Sequence, residues 1–114
     1  MRKLTFRPSA KDDLDNLYHY IAESSGSRET AIGYVRRIEN SCRRLAAFPE
    51  SGHRRDDLRA GLRILSFERR VVIAYTVLQT GDVEIGRVFY GGRDYEALVG
   101  TDESQERDMG EETA

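Results

Sequence analysis

The chain has 114 residues, of which 39% are hydrophobic and 33% charged, and its formal net charge is -2. This length suits a single domain, and no apolar run approaches the roughly 20 residues that a membrane span requires. The basic N-terminus lacks the apolar stretch of a secretory signal. A single cysteine excludes an internal disulfide, and no Cys or His spacing is typical of zinc. We therefore expect one cytoplasmic domain with neither a metal site nor a membrane association.

The charge is distributed unevenly along the chain. Residues 101–114 contain six carboxylates and a single basic residue, Arg107, which gives them a net charge of -5. Residues 1–100 hold the other 17 basic and 14 acidic groups, a net charge of +3. Because the last segment has almost no apolar residues, we expect it to be disordered. The predicted division is a folded domain over 1–99 and an acidic tail over 100–114.

The first half of the chain predicts a short strand over 2–6 and two helices. Ser9 is the expected N-cap of the first helix, with Asp12 three residues later as in a capping box. Polar residues 23–29 separate the helices, Ser27 is the expected cap of the second, and Pro49 prevents its continuation. Two apolar stripes predict an antiparallel helical hairpin. They comprise Ala10, Leu14, Leu17, Tyr18 and Ile21, and then Ala31, Tyr34, Val35, Ile38, Cys42, Leu45 and Phe48.

The second half predicts three strands, over 62–67, 70–78 and 83–90, because these segments are rich in Val, Ile, Tyr and Phe. Glu68-Arg69 and the loop over 79–82 are short enough to join them as hairpins. A glycine turn, Asp94 as an N-cap and a short helix complete the domain. The expected fold is therefore α+β, in the order β-α-α-β-β-β with a short C-terminal helix, and the helical hairpin covers one face of the sheet.

No pattern in the chain predicts a catalytic nucleophile. Cys42 lies on the apolar stripe of the second helix, where a buried structural thiol is expected. His19 has no orienting group nearby in the sequence, and His53 stands beside Arg54 and Arg55, so we expect both imidazoles to be solvated. The sequence predicts no catalytic residue.

Arginine is the unusual feature of this sequence, since 16 of the 18 basic residues are Arg. Its planar, permanently charged guanidinium suits carboxylates, phosphates and aromatic faces. Strand alternation predicts that Arg87 shares a face with Val83, Ile85 and Phe89, either partly buried and paired or lining a concave site. Local pairing with Asp56 and Asp57 is the alternative for the arginines of the connector, which is the segment between the second predicted helix and the strand over 62–67. As a set, the predicted binding surface for an acidic partner comprises Arg54, Arg55, Arg59, Arg63, Arg69, Arg70, Arg87 and Arg93.

The spacing of residues 49–94 resembles the RelE/ParE toxin superfamily, and the ParE branch in particular. The matching elements are Pro49, Gly52, Arg55, Asp57-Leu58, Gly61-Leu62-Arg63, Tyr75, Ile85-Gly86-Arg87-Val88 and Gly92-Arg93-Asp94. The resemblance covers about residues 2–99. It implies the RelE-like fold and the toxin of a type II toxin–antitoxin pair, which forms a hetero-oligomer with a ParD-like antitoxin. It further implies inhibition of DNA gyrase, with no cofactor, no catalysis and no sequence-specific binding of nucleic acid.

The RelE branch offers an alternative function, a ribosome-dependent mRNA endonuclease. Cleavage would need cations around the phosphate and a general acid or base. The connector contains no lysine, and the positive excess is small for a ribosome binder, so both observations favour the ParE branch. A non-toxic relative that only binds antitoxin also remains open. The candidate residues for the nuclease are Arg55, Arg63, Arg87, Tyr90, Arg93 and Tyr95.

Overall fold

The computed structural model describes residues 2–91 and 95–99, which form a five-stranded sheet with two long helices on one face. The chain order is β1 (Leu4–Phe6), α1 (Pro8–Ser25), α2 (Arg28–Ala47), β2 (His53–Arg54), β3 (Leu62–Phe67), β4 (Val71–Val77) and β5 (Val83–Tyr90). Residues 95–99 form a short helix, α3. The predicted α+β class is confirmed, whereas Arg93, Asp94 and the acidic tail lie outside the described residues.

The sheet has the strand order β1-β5-β4-β3-β2. Strands β3, β4 and β5 form the predicted antiparallel meander, and β1 pairs with β5 in parallel. The connector contributes an additional short strand, because His53 and Arg54 of β2 pair with Ile64 and Arg63 of β3. Two residues cannot show an alternation, so the sequence pattern predicted only a loop at this position.

Helix α1 begins differently from the prediction. Arg7 occupies the N-cap without a side-chain hydrogen bond, and Pro8 is the first helical residue. Proline suits this position because its ring fixes the helical φ and its missing N–H has no partner there in any helix. The Ser9 hydroxyl instead donates to the Gly86 carbonyl of β5 at 2.9 Å. The predicted Ser9 cap is therefore wrong, because a tertiary partner takes its hydroxyl.

Helix α2 begins where the sequence predicted and ends one residue before the predicted stripe does. The Ser27 hydroxyl accepts a hydrogen bond from the Thr30 amide at 3.1 Å, which caps the first turn. The helix ends at Ala47, and the next residue, Phe48, donates its amide to the Arg44 carbonyl. Phe48 itself is 66% exposed, so its predicted place on the buried stripe is wrong. The chain has already left the helical path there, ahead of Pro49.

The two faces of the sheet have separate hydrophobic clusters. Both long helices pack on the first face, where Ile38 and Leu45 of α2 join Ile73, Tyr75 and Ile85 of the sheet. The opposite face, which we call the second face, consists of Leu62, Ile64, Ala74 and Phe89 and is covered by Val99 of α3. No helix within the described residues is long and apolar enough to cross a membrane.

Candidate functional site

The second face of the sheet brings several charged side chains to one pocket. Arg7, Arg59 and Arg87 line this pocket together with Glu84 and Val99. The three arginines come from the segment before α1, from the connector and from β5, so only the folded chain brings them together. The lining therefore combines arginine side chains with a carboxylate, and guanidinium groups are suited to contacts with acidic groups.

A β-bulge at Gly86 determines the face on which Arg87 lies. Tyr75 pairs with Ile85, but the preceding residue of β4, Ala74, pairs with Arg87, so Gly86 has no partner in the register. The extra residue reverses the alternation of β5. Arg87 therefore shares the second face with Ala74 and Phe89, not the first face with Ile85. The predicted common face of Arg87 with Val83 and Ile85 is wrong, whereas the shared face with Phe89 is confirmed.

Arg87 is both partly buried and paired, as one of its two predicted arrangements required. Its Nε donates to Asp13 Oδ2 at 2.7 Å and its second nitrogen to Oδ1 at 3.1 Å. The Val88 amide also donates to Asp13 Oδ2, at 2.8 Å. The guanidinium stacks over the Phe89 ring, 4.8 Å from its centroid. Asp13 thus joins α1 to the part of β5 that extends past its pairing with β1. Sequence analysis missed this role.

Arg55 is held by several partners at the rim of the second face. It donates to both oxygens of Asp57, to the Tyr95 hydroxyl at 2.7 Å and to Glu96. The pKa of Arg55 lies above its ordinary value because of its hydrogen bonds to Asp57 and Glu96. The hydrogen bond from Arg55 also holds the pKa of the Asp57 carboxyl below its usual value. Arg55 therefore joins the connector to α3. The local pairing with Asp57 that was the predicted alternative occurs here, together with contacts to residues distant in the chain.

Arg54 and Arg63 lie on the side of the sheet that faces the helices. Arg63 stands opposite Tyr75 in the β3–β4 pairing, and its guanidinium donates to the Gly52 carbonyl at 2.9 Å. Arg54 forms an ion pair with Asp56 at 2.9 Å. The pKa of Asp56 is lowered by the Gly61 amide and then by Arg54. These two arginines hold the connector in place and are separated from Arg87 by the sheet.

The remaining candidates lie elsewhere. Arg69 and Arg70 are exposed in the turn between β3 and β4, where Glu68 and Arg69 adopt positive φ values of 48° and 63°. Such backbone conformations belong to the tight hairpin turns that the sequence predicted. Arg93 lies outside the described residues. The predicted set of arginines therefore occupies three regions of the described structure, and only Arg55, Arg59 and Arg87 border the second face.

The residues proposed for the nuclease alternative are likewise divided between the faces. Tyr90 packs with the helix-side core and lies in edge contact with Tyr34, at a ring distance of 6.1 Å. Tyr95 packs against the second face with Arg55. Cys42 is buried, and burial raises the pKa of its thiol to about 12. His19 and His53 are exposed. Within residues 2–91 and 95–99, no group of acidic, His or Cys side chains is arranged to hold a metal.

The connector is fixed by a hydrogen-bond network that sequence analysis missed. The buried Tyr75 hydroxyl donates to the Pro49 carbonyl at 2.8 Å and accepts from the Gly52 amide at 2.8 Å. Glycine is required at 52, since a Cβ there would lie 2.6 Å from that hydroxyl. The sequence signal was the spacing of Pro49 and Gly52 in the family resemblance, which does not reveal the buried partner.

Comparison with known proteins places these features in a family. The family model for the ParE toxin of the type II toxin–antitoxin system parDE matches residues 4–95. Toxin ParE3 of Caulobacter vibrioides is 35% identical over 99 residues, which are 87% of this chain and 95% of that protein. A solved structure of the chromosomal ParDE toxin–antitoxin system from P. aeruginosa matches with a TM-score of 0.69 and 25% identity. It covers 80% of this chain and 97% of the other.

Proposed function

This chain belongs to the ParE toxin family of type II toxin–antitoxin systems, and we propose that it inhibits DNA gyrase in the cytoplasm. The family match over residues 4–95 is the observation that supports this proposal, because it includes every strand and both long helices. Gyrase is the target that resemblance to the ParE branch implies. The toxin domain comprises residues 1–99, and the activity requires no cofactor.

A ParD-like antitoxin is the proposed neutralising partner, and the two chains form a hetero-oligomer. The similar structure from P. aeruginosa is described as a ParDE toxin–antitoxin system, which supports this partner. The pocket lined by Arg7, Arg59 and Arg87 is the surface we assign to it. Arg87 already donates two hydrogen bonds to Asp13, but an arginine-rich surface suits acidic partners, so an acidic antitoxin segment would complement it.

Inhibition without catalysis agrees with the positions of the polar side chains. A nuclease would need its cations and its general acid or base around one phosphate. Tyr90 and Arg63 face the helices, whereas Arg87 and Tyr95 lie on the second face. These residues cannot surround one phosphate without rearrangement of the sheet. The described residues thus favour the gyrase inhibitor over the mRNA endonuclease.

The target is tested with the purified full-length chain in two parallel assays. In the first, gyrase supercoils relaxed plasmid in the presence of the protein. In the second, ribosomes translate a defined mRNA. We expect the protein to block supercoiling and to leave the mRNA intact. Cleavage of the mRNA with normal supercoiling would instead establish the nuclease, and no effect in either assay would establish a non-toxic relative.

The antitoxin surface is tested by two charge reversals that change the same residue type. Arg59→Glu places a carboxylate in the pocket on the second face, and Arg69→Glu places one in the β3–β4 turn. We expect Arg59→Glu to weaken antitoxin binding by about tenfold or more, equivalent to about 1.4 kcal/mol. Arg69→Glu should change it by no more than about twofold. The opposite order would move the binding surface to the turn.

A further inference from the structure

Strand β5 has an open edge beyond its pairing with β1. That pairing covers only Val83 to Ile85, because the chain turns from β1 into α1 at this point. Further along the same edge, the Val88 amide donates to a side chain of α1, the Asp13 carboxylate. Helix α1 therefore takes the place of a neighbouring strand as far as the Val88 amide, and the edge continues past it.

The alternation of the antiparallel ladder assigns further backbone groups to this edge. The Gly91 amide donates to the Arg70 carbonyl at 3.0 Å, so Gly91 directs its backbone groups toward β4. Tyr90 precedes it and directs its amide and carbonyl to the opposite side, as Val88 does. No side chain or loop within the described residues bonds the Tyr90 amide or the Val88 carbonyl. A donor and an acceptor of the edge are therefore available to another extended chain.

A groove runs between this open edge and α1, and we call it the β5 groove. One stripe of α1, comprising Asp13, Asn16, Leu17 and Tyr20, faces Val88 and Tyr90 across it. Its volume is about 330 Å³, which lies within the range of pockets that bind ligands. The Tyr20 and Tyr90 rings lie 5.7 Å apart, and Tyr20 is 56% exposed. The β5 groove thus combines backbone hydrogen-bonding groups with an aromatic wall.

Unpaired backbone groups of a strand edge match an extended chain, which presents a row of donors and acceptors at the same spacing. We propose that the β5 groove binds an extended segment of a partner protein. The segment adds a strand beside Val88 and Tyr90 and places a large apolar side chain against the rings of Tyr20 and Tyr90. The groove lies on the helix side of the sheet, so this site is separate from the second-face pocket assigned to the antitoxin.

The rim of the β5 groove selects the charge of the segment. Asp12 and Glu23 flank the α1 stripe and are exposed, neither forms an ion pair within the described residues, and no basic residue lines the groove. At about 1.5 Å per helical residue they lie about 16 Å apart along the axis, which matches five strand residues at about 3.3 Å each. A basic residue at each end of the segment therefore complements the rim. Two copies of this chain would oppose their acidic rims, which disfavours self-pairing.

The test uses the full-length protein labelled with ¹⁵N and the pentapeptide acetyl-Lys-Val-Phe-Val-Lys-amide as the probe. We expect saturable changes in the amide signals of Asn16, Tyr90 and Gly91, with a dissociation constant on the order of 1 mM, and no change at Arg59. Hydrogen exchange of the Tyr90 amide should slow about tenfold at nine-tenths occupancy, because only the free fraction exchanges. The absence of saturable changes up to about 10 mM peptide would overturn the proposal.

A modified peptide and two protein variants separate strand addition from other contacts. The same peptide with N-methyl groups on its central residues keeps every side chain but loses amide donors, so we expect it not to bind. Equal binding of both peptides would exclude strand addition. Tyr20→Ala should weaken peptide binding by about fivefold or more, whereas its exposed neighbour outside the groove, His19→Ala, should change it by less than about twofold. Equal effects of the two variants would also overturn the proposal.

Dilution of the protein without peptide tests the other occupant of the groove. Changes in the Tyr90 and Gly91 signals on dilution would show that a second copy of this chain fills the groove, and they would overturn the assignment to a partner protein. We expect these signals to stay constant. None of these measurements requires antitoxin or gyrase, so failure of the gyrase assay leaves their result unaffected.

Discussion

Replacement of Asp13 by alanine removes an acceptor that three donors share. The carboxylate accepts from two nitrogens of Arg87 and from the Val88 amide, at distances between 2.7 and 3.1 Å. Both side chains are largely buried, with 20% of Arg87 and 13% of Asp13 exposed. Alanine therefore leaves a partly buried cation and an edge amide of β5 without this carboxylate.

The expected loss of stability follows from this burial. Removal of one partner from a buried ion pair costs about 3–5 kcal/mol where the other charge is left uncompensated. The exposed fifth of Arg87 lets water solvate part of its guanidinium, so we expect the lower end, about 3 kcal/mol. For a domain of about 100 residues, each kcal/mol lowers the melting temperature by roughly 4–8 °C. We therefore predict a decrease of at least about 12 °C.

The measurements are thermal and urea unfolding followed by circular dichroism, with Asp12→Ala as a control. Asp12 is the preceding residue of the same helix and is exposed, so its loss should cost less than about 1 kcal/mol. A double-mutant cycle with Arg87→Met isolates the pair. We expect Arg87→Met to cost less in the Asp13→Ala background than in the natural protein. If Asp13→Ala and Asp12→Ala are equally stable, the pair does not support the fold as described.

The other predictions concern the connector, the buried thiol and an exposed carboxylate. Gly52→Ala should destabilise the domain by about 1–3 kcal/mol in urea unfolding, because its Cβ would lie 2.6 Å from the Tyr75 hydroxyl. The control is Gly33→Ala, which has open space around its Cβ and should stabilise α2 by about 0.5–1 kcal/mol. Cys42 should resist a thiol reagent at pH 8 in the native state and react fully in denaturant, since burial raises the pKa of its thiol to about 12; rapid native labelling would contradict its buried position. The pKa of Asp56 is lowered in the folded state by the Gly61 amide and by Arg54, so its stabilising contribution is complete above the unfolded pKa of about 4 and is lost as the pH falls through the lower folded value. Asp56→Asn should therefore reduce the acid dependence of stability between about pH 5 and pH 2, and an unchanged dependence would show that this carboxylate contributes nothing.

Local signals predicted most of the secondary structure. The stripes of α1 and α2 follow helical spacing, and the turn at Glu68-Arg69 and the loop ending at Asp82 divide the sheet into its antiparallel strands. These signals depend on neighbours within a few residues, which a sequence displays directly. The cap at Ser27 is of the same kind, since its partner, Thr30, is three residues away.

The errors arose where a residue's partner is distant in the chain. Ser9 has the pattern of an N-cap, but it donates to Gly86, 77 residues away. The alternation of β5 fails at Gly86, because a bulge depends on pairing with β4. Asp13 fits a helix start equally well in sequence, and its pairing with Arg87 becomes visible only when α1 lies against β5. Binding residues depend on such long-range contacts, so the arginine set was predicted only as a group.

The pairing of Arg87 also determines which arginine can report on binding. A charge reversal at Arg87 would place two carboxylates against each other near the edge of β5, so weaker antitoxin binding could result from loss of the fold alone. Arg55 has the same difficulty, since it fastens the connector to α3 through Tyr95 and Glu96. Arg59 lines the same pocket from the connector and takes no part in the Asp13 pair. Antitoxin binding of Arg59→Glu is therefore measured together with its urea unfolding, so that weaker binding at unchanged stability assigns the loss to the surface.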